Sequence, residues 1–410
     1  MAGIGKPGRA PGLNFSAWVT VNPHLSIGTH KLKVLSVFGT RPEAVKMAPI
    51  VRLLTKTADV ESRVCVTAQH RQMLDQVLKL FDIQPQYDLN LMRDDQSLAE
   101  LSAAIFTHLD PVFSDFKPDW VLAQGDTTTV AITSLLAYYK RIKFGHVEAG
   151  LRTHDKWQPF PEEINRRVAG VAADLHFAPT EWSKHNLLRE GIAENIIKVT
   201  GNTVIDALQF VSRQEQPQEI TELIAQLGLD TSKKDMLGQT THEKKLILVT
   251  AHRRENFGNP MEDICQALLE LAKRRDVEIV YPVHLNPNVQ EPVNRLLKGQ
   301  KHITLLPPLD YLPLVHLMKH ATLILTDSGG IQEEAPAFGI PTLVLREVTE
   351  RPEGVAAGTL KLVGTDTGRI VEEAEQLLEN ESAYGKMARA ANPYGDGRAA
   401  EKIVQSLLSA

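Results

Sequence analysis

The feature that most constrains the fold of this chain is an alternation of short apolar runs with longer segments of helical periodicity. In the first half we predict strands at 32–38, 64–68, 120–123, 144–147, 175–178 and 197–199. The helical patterns between them lie at 44–57, 71–81, 97–109, 127–140, 162–173 and 181–190. Strands that alternate with helices of this length indicate parallel βαβ units.

A second alternation follows a polar stretch at 213–244, which we interpret as a short helix and a linker. Its predicted strands lie at 246–251, 278–283, 303–306, 323–326, 342–345 and 361–363. Its predicted helices lie at 261–275, 288–298, 311–320, 331–337, 367–379 and 398–409. We therefore predict an α/β fold with two Rossmann-like, doubly wound parallel sheets that face each other across a cleft.

The same pattern predicts how the chain is divided into domains. We expect a loosely ordered extension at 1–30, an N-terminal Rossmann-like domain at 31–205 and a C-terminal one at 206–380. The polar stretch is an insertion near the start of the second domain. The helical residues 381–410 are expected to pack back on the N-terminal domain.

Composition argues against several classes of protein. The 410 residues carry a formal net charge of −5, which is unlike the basic balance of a general nucleic-acid-binding protein. The chain has two cysteines, Cys65 and Cys265, and no disulfide framework or zinc spacing, which fits a reducing compartment. No apolar run reaches the ~18 residues that span a bilayer, and 1–30 lacks the apolar core of a signal peptide. We therefore expect a cytoplasmic protein without a membrane partner.

Polar residues follow several of the predicted strands, where ligands of doubly wound sheets bind. Gly39 ends the first strand, and Arg41 and Lys46 follow it at a helix start, a position that suits a phosphate group. Asp126 follows the strand at 120–123. The structural alternative is that Arg41 and Lys46 are solvated cations and that Asp126 caps a helix.

Two further strand ends and one helix start carry acids and bases. Glu148 ends an apolar strand, where a carboxylate costs energy unless it is paired. Glu162 and Arg166 are four residues apart on a predicted helix, so they share a face, either in a functional site or in a surface ion pair. His252 follows the strand at 246–251, where it addresses an anion, carries a proton or is merely structural.

The last such position is the run Ser328-Gly329-Gly330, which separates a predicted strand from a helix. Backbone amides at such a turn can cradle a diphosphate, and the Ser328 hydroxyl can donate to it. Glu334, one turn into the helix, can accept hydrogen bonds from ribose hydroxyl groups. A plain glycine-rich turn is the alternative for this run alone, but the whole set together favours a functional site in the cleft.

Taken in order, these motifs resemble the non-hydrolysing UDP-N-acetylglucosamine 2-epimerases. The resemblance covers about residues 32–390 and rests on FGTRPEA, QHR, QGDTTT, HVEAGLRT, PFPEEINRR, VTGNTVID, HRRENFG, YPVHLNPNV, TDSGGIQEE and ERPE. It implies the GT-B architecture of two Rossmann domains. It also implies reversible conversion of UDP-N-acetylglucosamine into UDP-N-acetylmannosamine, by elimination of UDP to a 2-acetamidoglucal and re-addition, with no nicotinamide and no metal.

The resemblance also implies roles for individual residues. The family's catalytic positions are matched by Asp126, Glu148, Glu162, Arg166 and His252. We hypothesise that Asp126 and Glu148 move protons at C2, with the acid and the base left unassigned. Arg166 would hold Glu162, and His252 would assist at the phosphate. The residues that we expect to bind UDP are Arg41, Lys46, Ser328, Gly329, Gly330 and Glu334.

Many bacterial members of the family bind a second UDP-N-acetylglucosamine as an activator. The residues that resemble this allosteric site are Gln69, Gln72, Arg253, Glu255 and His284. Asp95 stands where activated members often carry an arginine, and Arg93 is two residues away, so activation of this chain is left open.

The resemblance implies a homodimer that takes UDP-N-acetylglucosamine as substrate, and the net charge argues against a nucleic-acid partner. A hydrolysing epimerase, which releases free N-acetylmannosamine, and a GT-B glycosyltransferase share the same architecture. A sugar-nucleotide-binding protein without catalysis is the alternative from another class, and the intact carboxylates argue against it. Product analysis and proton exchange at C2 distinguish these alternatives.

Overall fold

The structure is a computed structural model, and it describes residues 31–67, 71–93, 95–229, 233–234, 240–241 and 244–410. The predicted extension at 1–30 and much of the predicted linker after residue 229 lie outside the described residues. Within the described part of the chain, no helix combines the length and the apolar character that crossing a membrane requires.

The first half of the chain forms one parallel sheet flanked by helices. Its strands are β1 (Leu32–Phe38), β2 (Val60–Val66), β3 (Tyr87–Asp88), β4 (Trp120–Gln124), β5 (Lys143–Val147), β6 (Leu175–Ala178) and β7 (Ile197–Val199). The helices are α1 (Arg41–Lys56), α2 (Arg71–Leu80), α3 (Leu98–Phe116), α4 (Thr128–Lys140), α5 (Glu162–Ala172), α6 (Glu181–Arg189), α7 (Thr203–Val211) and α8 (Gln218–Gln226). The strand order β3-β2-β1-β4-β5-β6-β7 reverses direction between β1 and β4, so a crevice opens at their carboxyl ends.

The second half repeats this plan. Its strands are the short antiparallel pair β8 (Lys233–Lys234) and β9 (Thr240–Thr241), and β10 (Lys245–Thr250), β11 (Val277–Pro282), β12 (Ile303–Leu306), β13 (Leu323–Thr326), β14 (Thr342–Val344) and β15 (Leu360–Leu362). The helices are α9 (Asn259–Leu271), α10 (Pro287–Leu297), α11 (Tyr311–His320), α12 (Gly329–Glu334), α13 (Pro352–Ala357), α14 (Thr367–Glu379), α15 (Glu381–Ala388) and α16 (Ala399–Leu408). The sheet order β12-β11-β10-β13-β14-β15 places the reversal between β10 and β13. The predicted fold of two doubly wound parallel sheets is therefore confirmed.

One buried carboxylate ties two strand-to-helix turns together. The Glu43 Oε2 atom accepts hydrogen bonds from the backbone N–H groups of Gly39 (3.0 Å) and Thr40 (2.7 Å), which completes a capping box at the start of α1. Its Oε1 atom accepts from the hydroxyl of Thr127 at 2.7 Å, and Thr127 caps α4. Burial raises the pKa of Glu43 despite these three hydrogen bonds. The turns after β1 and β4 are thus held in a fixed relation to each other.

Helices α7 and α16 connect the two halves. Helix α7 packs on α1 and α12, and α16 packs on α1 and α7. Asp206 on α7 accepts from the backbone N–H groups of Ala399 (3.2 Å) and Ala400 (2.9 Å), so a residue far away in the sequence caps α16. One cluster of buried apolar side chains includes residues of both large sheets. The predicted boundary at 205/206 falls within α7, and the division into domains stays a prediction.

Candidate active site

The carboxyl ends of the two large sheets meet at a shared set of polar contacts. Lys46 on α1 forms an ion pair with Glu148, which follows β5, and its Nζ atom lies 3.5 Å from Oε2 of Glu333 on α12. Asn202, just before α7, donates from its Nδ2 atom to Glu148 Oε1 (3.0 Å) and to Glu333 Oε2 (3.2 Å). Residues of both halves therefore surround one point in the cleft.

Glu148 is held in an unfavourable backbone conformation at the end of an apolar strand. Its φ of 62° lies in the left-handed region, which costs a residue other than glycine about 1–3 kcal/mol. The side chain is buried, and Gln124 donates to its Oε2 atom. Burial alone would raise the pKa of Glu148, but the charges of Lys46 and Arg351 hold it below its ordinary value. The site therefore contains an ionised, desolvated carboxylate, which is the state required of a general base.

Asp126 lies in the turn between β4 and α4, two residues after Gln124, which donates to Glu148. Its Oδ2 atom accepts two hydrogen bonds from Arg166, from Nε at 2.9 Å and from Nη2 at 2.7 Å. Behind this turn, His146 Nε2 lies 2.7 Å from the carbonyl oxygen of Gly125, which has a φ of 85°. Burial lowers the pKa of His146 to about 4, so this imidazole is neutral and donates to the carbonyl. The side chain of Asp126 is thus aimed by its neighbours.

The predicted pairing of Glu162 with Arg166 is wrong. Arg166 donates to Asp126 and, from Nη1 at 3.2 Å, to Glu163 Oε2. The reason is that Glu163, and not Glu162, is the fully buried residue at the start of α5, where it also accepts from the backbone N–H groups of Thr153 (3.1 Å) and His154 (3.2 Å).

Glu162 is left with unused hydrogen-bonding capacity. Its Oε2 atom is buried and has no hydrogen-bond partner among the described residues. A buried acceptor in this state costs free energy unless a ligand satisfies it. The proposed catalytic role of Glu162 stays a prediction, and this acceptor is consistent with it.

Across the cleft, His252 follows β10 and is anchored by Asp327, which follows β13. The Oδ2 atom of Asp327 accepts from the backbone N–H groups of His252 (2.8 Å) and Arg253 (2.7 Å) and from Asn256 Nδ2 (3.0 Å). His252 Nδ1 lies 3.5 Å from the other carboxylate oxygen, and its ring stacks on that of His284 with a centroid separation of 5.3 Å. Burial lowers the pKa of His252 even though Asp327 opposes this effect.

The residues expected to bind UDP surround the start of α12. Ser328 is the N-cap residue of α12, and its side chain makes no capping hydrogen bond. A Cβ atom at position 329 would lie 2.7 Å from Arg351 Nη1, so a glycine is needed for the guanidinium group to approach. Glu334 is buried and accepts from the Tyr311 hydroxyl at 2.7 Å. Arg41 is the first residue of α1, and its positive charge acts on Glu334 and Tyr311 of the second half.

Sequence reasoning missed several residues of this site, namely Gln124, Glu163, Asn202, Glu333 and Arg351. Asn202 could have been found, because it lies three residues beyond β7 and ligands of doubly wound sheets bind beyond the carboxyl ends of strands. Glu333 and Arg351 were present in the motifs TDSGGIQEE and ERPE, but no local pattern indicates that they contact each other.

The residues that resemble an allosteric site are described only in part. Gln69 lies outside the described residues, and the side chain of Gln72 is not described. Glu255 accepts from Arg346 Nε at 2.5 Å, and His284 stacks on His252, so both lie at the same edge of the second sheet as Arg253. In the described part of the chain, no group of three or more histidine, cysteine or acidic side chains could hold a metal ion.

Comparisons with known proteins agree on one family. The model of the family described as UDP-N-acetylglucosamine 2-epimerase matches residues 52–408. UDP-N-acetylglucosamine 2-epimerases from Escherichia coli K12 and Yersinia pestis are each 56% identical to this chain, over 92% of it and 98% of their own length. The crystal structure of the Neisseria meningitidis UDP-GlcNAc 2-epimerase bound to UDP-GlcNAc superposes with a TM-score of 0.81 at 51% identity, covering 92% of this chain and 100% of that one.

Proposed function

Because this chain belongs to the UDP-N-acetylglucosamine 2-epimerase family, we propose that it interconverts UDP-N-acetylglucosamine and UDP-N-acetylmannosamine without net hydrolysis. The single observation that carries this proposal is that Lys46 and Asn202 each contact both Glu148, from the first half, and Glu333 on α12, from the second. An ionised carboxylate and an arginine-bound carboxylate stand on one side. A turn suited to a diphosphate stands on the other.

The proposed reaction begins with removal of the C2 proton. Since no carbonyl group activates this proton, a base must be held close to it and the C1–O bond must break as the proton leaves. The electron pair of the C2–H bond then forms the C1–C2 double bond of 2-acetamidoglucal, and the C1–O pair departs with UDP. Re-addition of UDP at C1 and delivery of a proton to the opposite face of C2 give the epimer. We assign these two proton transfers to Asp126 and Glu148.

Departure of UDP needs positive charge near the diphosphate. Arg41 and Lys46 lie on α1 on one side, and the backbone amides at Ser328-Gly329-Gly330 begin α12 on the other. Burial opposes the charged form of Lys46, yet Glu148 and Glu333 raise its pKa, so it stays an ammonium ion. A fixed cation in a site that excludes water stabilises the leaving group more than the same cation would in solvent.

Incubation with UDP-N-acetylglucosamine in deuterated water tests this proposal. We expect deuterium at C2 of both epimers and little free sugar, because the glucal is retained until UDP adds again. Accumulation of free N-acetylmannosamine and UDP would identify a hydrolysing epimerase. Absence of C2 exchange, with sugar transfer to an added acceptor, would identify a glycosyltransferase. Binding without turnover would leave only a binding protein.

We expect Glu334→Gln to change the pH dependence of the protein's stability and to weaken UDP binding. Burial raises the pKa of Glu334 to about 7 from 4.5, so the folded protein loses stability as the pH rises between these two values. The glutamine variant avoids this loss and should be more stable above pH 7, by up to about 3 kcal/mol. Its affinity for UDP should fall by about tenfold if Glu334 accepts from the ribose.

Urea unfolding at pH 5 and pH 8 and calorimetry with UDP measure these two effects of Glu334→Gln. A glutamine variant whose stability declines with pH in parallel with the wild type would contradict the first expectation. Unchanged UDP affinity would contradict the second.

We also propose that the protein is a cytoplasmic homodimer and that UDP-N-acetylglucosamine can act at a second site near Arg253. Exposed apolar side chains support association of the first half with a second copy, since Tyr138 and Tyr139 on α4 and Val171 on α5 are 68%, 65% and 87% exposed. Light scattering that returned a monomeric mass would contradict the dimer. Hyperbolic kinetics with pure UDP-N-acetylmannosamine would contradict activation.

A further inference from the structure

Two buried carboxylates, one from each half of the molecule, share the same two donors. The Lys46 ammonium and the Asn202 amide each contact both Glu148 Oε1 and Glu333 Oε2. Lys46 and Asn202 belong to the first half, as Glu148 does, whereas Glu333 lies on α12 of the second half. The other oxygen of Glu333, Oε1, accepts from Arg351 Nε at 2.8 Å.

This arrangement costs free energy, because it brings two negative charges together. Glu333 is 1% exposed and Glu148 is 8% exposed, and two carboxylates brought together in a buried site repel each other. The shared ammonium and amide groups compensate for this repulsion only while the two halves are in contact. The contacts of Lys46 and Asn202 with Glu333 therefore exist only while the two halves lie against each other.

Glu333 also moves with the turn that is suited to the diphosphate. It lies on the same short helix as Gly329 and Gly330, with Ser328 as the N-cap residue. Any ligand that draws this turn towards the first half also brings Glu333 to Lys46 and Asn202. Diphosphate binding and the environment of Glu148 are thus connected through one rigid element.

We propose that Glu333 is a positioning residue, which aligns Lys46 and Asn202 against Glu148 when the two halves close on the nucleotide. This inference rests on the proposed epimerase function. Glu333 contacts no reacting atom and acts only through the two donors that it shares with the base. Its carboxylate also competes with the diphosphate for Lys46 and Arg351. Glu333 therefore weakens nucleotide binding while it aligns the base.

The charged and titratable groups around Glu148 determine the sign of the expected effect. They are Lys46 on α1, His146 on β5, Asp126 in the turn after β4, Glu333 on α12 and Arg351 before α13. His146 is neutral and Asp126 is paired with Arg166, whereas Glu333 shares Lys46 and Asn202 with Glu148, so Glu333 is the negative charge that acts most directly on the base. Removing it favours the ionised form of Glu148 and lowers the pKa of that group.

The variant Glu333→Gln tests the proposal, because it keeps the shape of the side chain and removes its charge. We expect kcat to fall about tenfold, the acidic limb of the kcat profile to move down by about one pH unit, and UDP to bind about three- to tenfold more tightly. The variant Asn202→Asp adds a negative charge at the same point, and the acidic limb should then move up. If Glu333 served only stability, neither variant would shift the acidic limb, and Glu333→Gln would not strengthen UDP binding.

The matched control is Glu353→Gln. Glu353 also joins the two halves, since its Oε1 atom accepts from the Thr180 hydroxyl at 2.7 Å, but it contacts neither Lys46 nor Asn202. This control should leave the acidic limb and the UDP affinity as in the wild type. If Glu333→Gln and Glu353→Gln behave alike, or if Glu333→Gln weakens UDP binding, Glu333 does not position the base. A wild type that binds UDP but does not epimerise would instead overturn the proposed function.

Discussion

An Asp126→Asn variant is expected to fold normally and to turn over UDP-N-acetylglucosamine about 100- to 10,000-fold more slowly than the wild type. The Oδ2 atom of Asp126 accepts from Nε and Nη2 of Arg166, and an asparagine oxygen can keep part of that contact. The amide cannot exchange a proton with C2, so the chemical step fails while UDP still binds. A coupled assay of UDP-N-acetylmannosamine formation and calorimetry with UDP measure the two effects separately.

Asp119→Asn is the matched control for this variant. Asp119 lies at the amino end of β4, where its Oδ2 atom accepts from the backbone N–H of Lys33 at 2.8 Å, and Asp126 lies beyond the carboxyl end of the same strand. The control removes one carboxylate from the opposite edge of the sheet and should leave turnover within about twofold of the wild type. Equal turnover in the two variants would remove Asp126 from the proposed mechanism.

Replacing Glu163 by alanine is expected to lower the free energy of unfolding by about 3–5 kcal/mol. The side chain of Glu163 has no exposed surface, and it serves Arg166 and the backbone N–H groups of Thr153 and His154 together. Its loss leaves the part-buried backbone N–H groups of Thr153 and His154 without this acceptor and removes a charged partner of Arg166 inside the protein. Urea unfolding followed by tryptophan fluorescence measures the change.

The neighbouring variant Glu162→Ala should give the opposite pattern. Glu162 is only partly buried, and its Oε2 atom has no hydrogen-bond partner in the described part of the chain, so stability should change by no more than about 0.5 kcal/mol. Turnover should fall by about 100-fold if this oxygen faces the substrate. Equal stability losses in the two variants would mean that the buried contacts of Glu163 have been overestimated.

Most strands could be predicted from the sequence because they are continuous apolar runs between turn residues. β6 and β13 have the predicted bounds, since each is a short run that the parallel sheet buries. β2 begins four residues earlier than predicted, at Val60, because its partly exposed residues 61–63 pair in register with β1 although they are polar. Pairing with a neighbouring strand, which no local pattern reports, determines where such a strand begins.

Helix ends were harder to predict where burial competes with a breaking residue. We predicted the end of α3 at 109, before Pro111, but the helix continues to Phe116. Val112, Phe113 and Phe116 are buried in the apolar core of the first half, and this burial outweighs the cost of the proline. Helices α7 and α13 were not predicted, and the first of them packs between the two halves.

The candidate site shows the same division between local and long-range information. Asp126, Glu148 and His252 could be found because each follows a strand of a parallel sheet, and the ends of such strands share one edge. Glu163 could not be separated from Glu162 without knowing which side of α5 is buried. The role of Glu333 depends on Lys46 and Asn202, which are more than a hundred residues away in the chain.

The bridge that Glu43 makes between the turns after β1 and β4 limits how this protein can be altered. The turn that carries Arg41 and the turn that carries Asp126 both donate hydrogen bonds to the carboxylate of Glu43. A redesign that reshapes the first turn for a different nucleotide would also displace the acid that the second turn presents. Variants of nucleotide preference that keep their activity should therefore leave Thr40, Glu43 and Thr127 untouched and change residues elsewhere.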